Sequence, residues 1–196
     1  MREHEHKGIA CSQPGLADIT DSGKASYAAA NPDAEGKGII ILIGMPGAGK
    51  STVGPLLAEG LGLCYVDTDE RITSSDGRSP RDIVAEDGVE EFLRIQKEVI
   101  LSIKPEGCII ATGGGVINSS DLMEYLKDLG RVIYLRQDPD VLEKRFDSGR
   151  KLARSDGQAL AQLFEERDPL YTKYADYTVY CAGKAPEKIV QEIING

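Results

Sequence analysis

A glycine-rich segment flanked by a predicted strand and a predicted helix constrains this sequence more than any other feature. Residues 44–52 read Gly-Met-Pro-Gly-Ala-Gly-Lys-Ser-Thr and match the pattern G-x-x-x-x-G-K-[ST]. A continuous apolar run at 39–43 precedes the segment, as is typical of a strand buried on both faces. An amphipathic helix is predicted to follow, through about residue 61. A strand–loop–helix unit of this kind holds the phosphates of a nucleoside triphosphate.

The residue types of this loop explain how it would bind phosphate. Glycines let backbone N–H groups approach phosphate oxygens, and the following helix directs its positive end at them. Lys50 is expected to reach the β- and γ-phosphates, and the Ser51 hydroxyl is expected to bind Mg²⁺. The alternative, a glycine-rich turn with an exposed lysine, does not account for the strand and helix on either side. The predicted nucleotide-binding residues of the loop are Gly47, Ala48, Gly49, Lys50, Ser51 and Thr52.

Two carboxylates follow the second predicted strand, at 63–66. Asp67 and Asp69 lie just past its C-terminal end, which is the edge of an open α/β sheet where ligands bind. Asp67 is placed to hold Mg²⁺ through water, and Asp69 to bind an acceptor hydroxyl and take its proton. In the alternative interpretation, one of them caps a helix that begins at Glu70. Beside a phosphate loop, we favour the functional interpretation.

Strands and helices alternate along the chain from residue 38. Further strands are predicted at 108–112, 132–135 and 177–180, and further helices at 80–85, 89–103, 122–129, 141–146, 159–171 and 186–194. This order predicts an α/β fold of the P-loop NTPase type, a doubly wound five-stranded parallel sheet with helices on both faces. Residues 1–37 show no steady apolar period, and we expect a disordered N-terminal extension.

One predicted helix, at 89–103, carries a long stripe on one face. The stripe consists of Val89, Phe92, Leu93, Gln96, Val99, Ile100 and Ile103. A stripe of this kind is typical of a helix face that packs in the core, and Leu93 fits it.

The charge, the cysteines and the histidines limit the function classes. Lys and Arg total 23 against 32 Asp and Glu, a net charge of −9 without a basic block, so nucleic acid and anionic membrane are unsuitable partners. No segment approaches the roughly 20 apolar residues of a membrane helix. Four cysteines form neither a CxxC pair nor a metal-binding spacing, which favours a reduced cytoplasmic setting. His4 and His6 are the only histidines, so a general base in the folded part is expected to be a carboxylate.

Several further motifs resemble those of the shikimate kinase family, from about residue 38 to the C-terminus. They are Asp-Thr-Asp at 67–69, Gly-Arg-Ser at 77–79, Asp-Gly-x-Glu-x-Phe at 87–92, Ala-Thr-Gly-Gly-Gly at 111–115 and Glu-Arg-x-Pro-Leu-Tyr at 166–171. The resemblance implies a kinase that uses ATP with Mg²⁺ and phosphorylates a small hydroxylated acid, most directly the 3-hydroxyl of shikimate in aromatic amino-acid biosynthesis. We expect it to act as a monomer.

The resemblance also implies which residues bind the acceptor. Asp69 would bind the substrate hydroxyls and Arg167 would pair with the substrate carboxylate. The backbone of the three consecutive glycines Gly113, Gly114 and Gly115 would line the substrate pocket.

On the nucleotide side, the resemblance implies a mobile lid near 147–157 whose Arg150 closes over the phosphates. Arg145 and Pro186 would sandwich the adenine. The expected catalytic residues are therefore Lys50, Asp69 and Arg150, and the expected metal-binding residues are Ser51 and Asp67.

Two departures from the family pattern bear on the acceptor and on the lid. Leu93 stands where the family usually has the second arginine that holds the substrate carboxylate, and Arg94 is no evident substitute because one helical step turns a side chain by about 100°. The lid reads Arg-Lys-Leu-Ala at 150–153, without the usual proline after the arginine. Leu93 supports an alternative acceptor such as a sugar acid. A nucleotide-binding regulatory protein without turnover is a further alternative, which intact Lys50 and Asp69 argue against.

Overall fold

The computed structural model describes residues 38–103, 107–147 and 160–196. The strands are β1 (Ile40–Ile43), β2 (Cys64–Asp67), β3 (Cys108–Ala111), β4 (Arg131–Arg136) and β5 (Tyr177–Tyr180). The α-helices are α1 (Lys50–Leu61), α2 (Thr68–Asp76), α3 (Pro80–Ser102), α4 (Ser120–Leu129), α5 (Pro139–Asp147), α6 (Leu160–Tyr174) and α7 (Pro186–Asn195). The predicted extension at 1–37 and positions 148–157 of the predicted lid, with Arg150, lie outside the described residues.

The five strands form one parallel sheet in the order β2-β3-β1-β4-β5. β1 lies at the centre, with Ile40 opposite Ile109 of β3 on one side and Arg131 of β4 on the other. β2 and β3 lie on one side of β1, and β4 and β5 lie on the other. The direction in which successive strands are added to the sheet therefore reverses at β1. A crevice for ligands is expected at the carboxyl end of this strand. The prediction of a five-stranded parallel sheet is confirmed.

Alternate residues of β1 enter two separate apolar cores. Ile41 and Ile43 pack with side chains of α3, α4 and α6 on one face, while Ile40 and Leu42 pack with α1 and α7 on the other. Successive side chains of a strand point to opposite faces, so a strand covered on both sides has to be apolar throughout. The prediction of helices on both faces is thereby confirmed.

Helix α3 bends at Gly88, where φ is 89° and ψ is 172°. The two helices predicted at 80–85 and 89–103 are therefore the two arms of one kinked element. The expected stripe is wrong at Val89, whose exposed fraction is 58%. Val89 directly follows the kink, where the helical period that predicted the stripe is interrupted.

Helix α2 and both arms of α3 form a small third core, built from Ile72, Ile83, Ile95 and Val99. None of the helices in the described ranges has both the length and the apolarity that a bilayer span needs.

Candidate active site

The site is built at the carboxyl edge of the sheet. The phosphate loop follows β1, the acidic pair lies at the end of β2, and the three consecutive glycines at 113–115 follow β3. Because all strands are parallel, these three segments lie side by side. Helices α5 and α6 add Arg145 and Arg167 from the neighbouring part of the fold.

Glycine is required at two positions of the phosphate loop. Gly49, the residue before α1, has φ of 106°, a left-handed conformation that other residues rarely adopt. At Gly44 φ is 144°, and a Cβ there would lie 2.6 Å from the Leu135 carbonyl oxygen of β4. These positions let the loop turn from strand to helix while it stays in contact with the sheet.

Lys50 lies folded over its own loop. Its Nζ donates hydrogen bonds to the carbonyl oxygens of Gly44, at 2.7 Å, and Met45, at 3.0 Å. Burial lowers the pKa of this ammonium to about 8, and the nearby carboxylates of Asp69 and Asp67 oppose that shift. A buried cation is therefore held beside the place where loop and helix would bind phosphate.

Asp67 caps a helix and also contacts the residue after Lys50. Its Oδ1 accepts the backbone N–H groups of Asp69 and Glu70, at 2.9 and 3.3 Å, and so caps α2. Its Oδ2 accepts the Ser51 hydroxyl at 3.2 Å. The capped helix begins at Thr68 and not at Glu70, so Asp67 is the cap and Asp69 lies in the first turn.

Asp69 is directed at the glycines that follow β3. A Cβ on Gly113 would lie only 2.4 Å from Asp69 Oδ1. That oxygen is buried and accepts no hydrogen bond from the described residues. Burial, and secondly the charge of Asp67, raise the pKa of Asp69 above its usual value, with Lys50 opposing. An unpartnered carboxylate oxygen of this kind is available to a donor on a bound molecule.

The Gly114 carbonyl oxygen receives two donors from α6. Arg167 Nη1 donates to it at 3.3 Å and the Tyr171 hydroxyl at 2.6 Å. On its other side Gly114 contacts the phosphate loop, since a Cβ there would lie 2.5 Å from Pro46 Cδ. The glycines after β3 therefore join the phosphate loop to the helix that carries Arg167.

A cavity of about 440 Å³ opens beside the phosphate loop, between α5 and α7. Arg145 and Pro186 both line it, as the resemblance implies for an adenine site, and Arg145 Nη1 donates to the Gly47 carbonyl oxygen at 2.5 Å. Its other lining residues are Gly47, Ala48, Gly49, Thr52, Val53, Gln137, Lys184 and Ile189.

Leu93 is half-buried on α3, one residue after Phe92, whose ring edge lies 4.0 Å from where a Gly115 Cβ would be. Arg94 is held at the surface by Glu91 and Glu98, at 2.6 and 2.5 Å. Arg94 therefore does not replace the cation that the family pattern has at 93.

Arg78 is also held away from the glycines after β3. It pairs with Asp76, Glu86 and Asp87, at 2.6, 3.0 and 2.7 Å. In the described structure neither Arg78 nor Arg94 supplies a second cation for the acceptor.

Sequence reasoning missed four contributors to this region. Buried Thr68 accepts the Gly113 N–H at 3.0 Å and so joins β2 to the glycines after β3. Gln137 and Lys184 line the cavity beside the phosphate loop, and the Tyr171 hydroxyl donates to the Gly114 carbonyl oxygen. Thr68 lies between the two aspartates and Tyr171 ends the Glu-Arg-x-Pro-Leu-Tyr motif, so the sequence motifs could have identified both residues. Gln137 directly follows β4, a position at which the parallel sheet predicts ligand contact.

Comparison with known proteins adds an independent finding. The family model described as shikimate kinase matches residues 46–196. A shikimate kinase of Persephonella marina is 36% identical over 158 residues, which cover 79% of this chain and 96% of the relative. One of Bacillus cytotoxicus is 34% identical over 158 residues, covering 79% of this chain and 95% of the relative.

Solved structures give the same answer for the fold. The shikimate kinase from Acinetobacter baumannii in complex with shikimate superposes with a TM-score of 0.71 at 34% identity, covering 84% of this chain and 94% of that one. The shikimate kinase from Bacteroides thetaiotaomicron gives a TM-score of 0.70 at 28% identity, covering 79% and 95%.

Proposed function

The chain belongs to the shikimate kinase family, and on that premise we propose that it transfers the γ-phosphoryl group of ATP to the 3-hydroxyl of shikimate. One observation within the site supports this reaction more than any other. The glycines after β3 contact the phosphate loop at Pro46 and the Asp69 carboxylate, and Arg167 donates to the Gly114 carbonyl oxygen at 3.3 Å. The phosphate loop, a candidate base and a candidate carboxylate-binding cation are thus gathered around one short segment.

On the acceptor side, Asp69 orients the hydroxyl and receives its proton. The hydroxyl oxygen forms a bond to the γ-phosphorus as the bond between that phosphorus and the leaving oxygen of ADP breaks. Arg167 pairs with the substrate carboxylate, an interaction that charge-assisted hydrogen bonds strengthen. The backbone of Gly113, Gly114 and Gly115 lines the pocket. A side chain at Gly113 would clash with Asp69, and one at Gly114 would clash with Pro46.

On the donor side, the backbone of residues 47–52 holds the phosphates and Lys50 stabilises the charge that develops during transfer. Arg145 and Pro186 enclose the adenine. Arg150, which lies outside the described residues, is proposed to close over the phosphates as the lid arginine.

The side-chain oxygens of Ser51 and Asp67 suit Mg²⁺. Ser51 Oγ and Asp67 Oδ2 are oxygen ligands of the kind Mg²⁺ prefers, and they lie 3.2 Å apart next to the phosphate loop. Mg²⁺ bound with ATP neutralises phosphate charge during transfer. Ser51 and Asp67 would hold it, Asp67 through water.

The comparisons do not favour the alternative acceptor, a sugar acid, although Leu93 remains its support within the sequence. The cytoplasmic location and the monomeric state stay predictions.

Product analysis tests the proposed function. The full chain is incubated with ATP, Mg²⁺ and shikimate, and the product is identified by ³¹P NMR and mass spectrometry. We expect a phosphomonoester on the 3-hydroxyl and stoichiometric ADP, and a Lys50→Met variant prepared in parallel should form neither. ATP hydrolysis without a shikimate phosphate would overturn the proposal.

A further inference from the structure

The Gly114 carbonyl oxygen is shared by two donors that differ in what else they can do. Arg167 is a charged side chain with five N–H donors and is only partly buried, so it can turn to another acceptor. Tyr171 is fully buried, and its hydroxyl makes the shorter contact, 2.6 Å against 3.3 Å for Arg167. Burial also raises the pKa of Tyr171 above its usual value, so the phenol keeps its proton and remains a donor.

A chain of contacts fixes the Tyr171 ring in place. It stacks on Tyr134 of β4, with ring centroids 4.9 Å apart. The Tyr134 hydroxyl donates to Asp168 at 2.8 Å, and Arg136 donates to both oxygens of Asp168, at 2.8 and 3.1 Å. The ring therefore cannot follow Arg167 if that side chain moves.

These contacts bear directly on acceptor binding. Arg167 donates a hydrogen bond to the Gly114 carbonyl oxygen. To pair with a carboxylate it has to release that carbonyl, and a carbonyl left without a donor in a partly buried place loses its hydrogen-bonding partner at a cost in free energy. The Tyr171 hydroxyl already occupies the same oxygen.

Resting on the proposed function, we propose that Tyr171 is a positioning residue for the acceptor. Its hydroxyl keeps the Gly114 carbonyl satisfied and thereby frees Arg167 to exchange that carbonyl for the carboxylate of the acceptor. Tyr171 does not touch the reacting atoms and acts through Gly114 and Arg167.

Tyr171→Phe removes the hydroxyl and keeps the ring that stacks on Tyr134. We expect the KM for shikimate to rise about tenfold, equivalent to about 1.4 kcal/mol, with kcat and the KM for ATP changed less than twofold. A merely structural role would lower the amount of folded enzyme and leave both KM values unchanged. Tyr174→Phe is the matched control, because Tyr174 is buried on the same helix and its hydroxyl contacts only Lys173 among the described residues.

A second variant changes Asp168, which acts on the Tyr171 ring through Tyr134. Asp168→Asn keeps the side-chain size but removes the charge that binds Arg136, and it is expected to raise the KM for shikimate in the same selective way, by a few fold. If both variants keep the shikimate KM of the parent within twofold, the inference is wrong. If the parent itself does not phosphorylate shikimate, the proposed function has failed instead, and parent turnover is therefore measured first.

Discussion

The Lys50 ammonium illustrates how a single buried charge links phosphate binding to pH. Its pKa is lowered from 10.5 to about 8, mainly by burial. Only the protonated form attracts phosphate, so ATP affinity should be constant below pH 8 and fall as the pH rises through 8. Because bound phosphates favour the ammonium, ATP binding above pH 8 should take up a proton.

Calorimetric titration in two buffers of different ionisation enthalpy measures both effects. Lys50→Met is the control, and it should bind ATP more weakly without this pH dependence. An affinity in the parent that stays flat to pH 10 would contradict the assignment of Lys50 as the phosphate-binding cation.

We expect Asp69 to lower the stability of the folded protein while it supports catalysis. Folding raises its pKa because burial and Asp67 disfavour the ionised form, so the folded state holds the proton more tightly and the contribution of Asp69 to stability falls as the pH rises through its pKa. Asp69→Asn removes the charge and keeps the size. At pH 7 we predict a melting temperature higher by roughly 2–4 °C, about 1 kcal/mol, together with a kcat lower by roughly 10²–10⁴-fold.

Thermal unfolding and steady-state kinetics of the Asp69→Asn variant check this prediction, with the exposed neighbour Glu70→Gln as control. The KM for ATP should hardly change. An equal loss of ATP binding would instead place Asp69 in the metal site.

We expect Leu93 to weaken the binding of the acceptor carboxylate. Two arginines on one carboxylate provide two charge-assisted contacts of roughly 1.5–3 kcal/mol each, and Arg94 and Arg78 are engaged with surface carboxylates. We predict a high KM for shikimate in the parent and a roughly ten- to a hundredfold lower one in Leu93→Arg. Gln96 lies one helical turn further along α3, and both of its amide atoms are buried without a partner in the described part of the chain. It offers the new guanidinium an acceptor.

Steady-state kinetics of the parent and of Leu93→Arg measure this change. Leu101→Arg, at an exposed leucine of the same helix, controls for the added charge. A low KM for shikimate in the parent would contradict the inference that Leu93 weakens binding of the acceptor carboxylate.

At the scale of elements, the glycines after β3 connect the phosphate loop to Asp69. Gly114 contacts Pro46 and Gly113 contacts Asp69 so closely that neither has room for a Cβ, whereas a Cβ on Gly115 would meet Phe92 at an ordinary 4.0 Å. Gly114→Ala should therefore lower stability by roughly 1–3 kcal/mol, as overpacking does. Gly115→Ala should lower it by much less. Denaturant unfolding of the pair checks this prediction, and equal losses would contradict the packing argument.

The strands were predictable from the sequence because each is a local pattern. A parallel strand covered on both faces is apolar throughout, as Ile39 to Ile43 show, and the sequence predicted the phosphate loop from the same short stretch. The kink at Gly88 was harder, since a single glycine inside a helical period does not reveal a φ of 89°. Val89 was consequently misplaced on the buried stripe.

The contacts that assemble the site were not predictable, because they join residues far apart in the chain. Thr68 and Gly113 are separated by 45 positions and Tyr171 and Gly114 by 57. The sequence carries a separate signal for each partner and none for the pairing. The hydrogen bonds of Asp67 show the same limit, since the sequence offered capping only as an alternative to a metal-binding role and carried no signal that the capping carboxylate also accepts the Ser51 hydroxyl.

For the whole molecule, one sheet with a core on each face places the phosphate loop, Asp67, Asp69 and the glycines after β3 at a common edge. Charge supports the proposed function, since a chain with a net charge of −9 is expected to bind anionic ligands through a few placed cations, for which Lys50 and Arg167 are the candidates. Family membership, the cavity beside the phosphate loop and the buried Asp69 oxygen, which has no partner among the described residues, support transfer between ATP and a small hydroxylated acid.

The kcat/KM of the full chain for shikimate, compared with quinate and gluconate under saturating ATP and Mg²⁺, tests this account most directly. We predict that shikimate exceeds both by at least about tenfold, which corresponds to about 1.4 kcal/mol of preferential transition-state binding, even though the missing arginine at 93 keeps its KM high. A kcat/KM for gluconate equal to or above that for shikimate would contradict the account and make Leu93 the mark of a different acceptor.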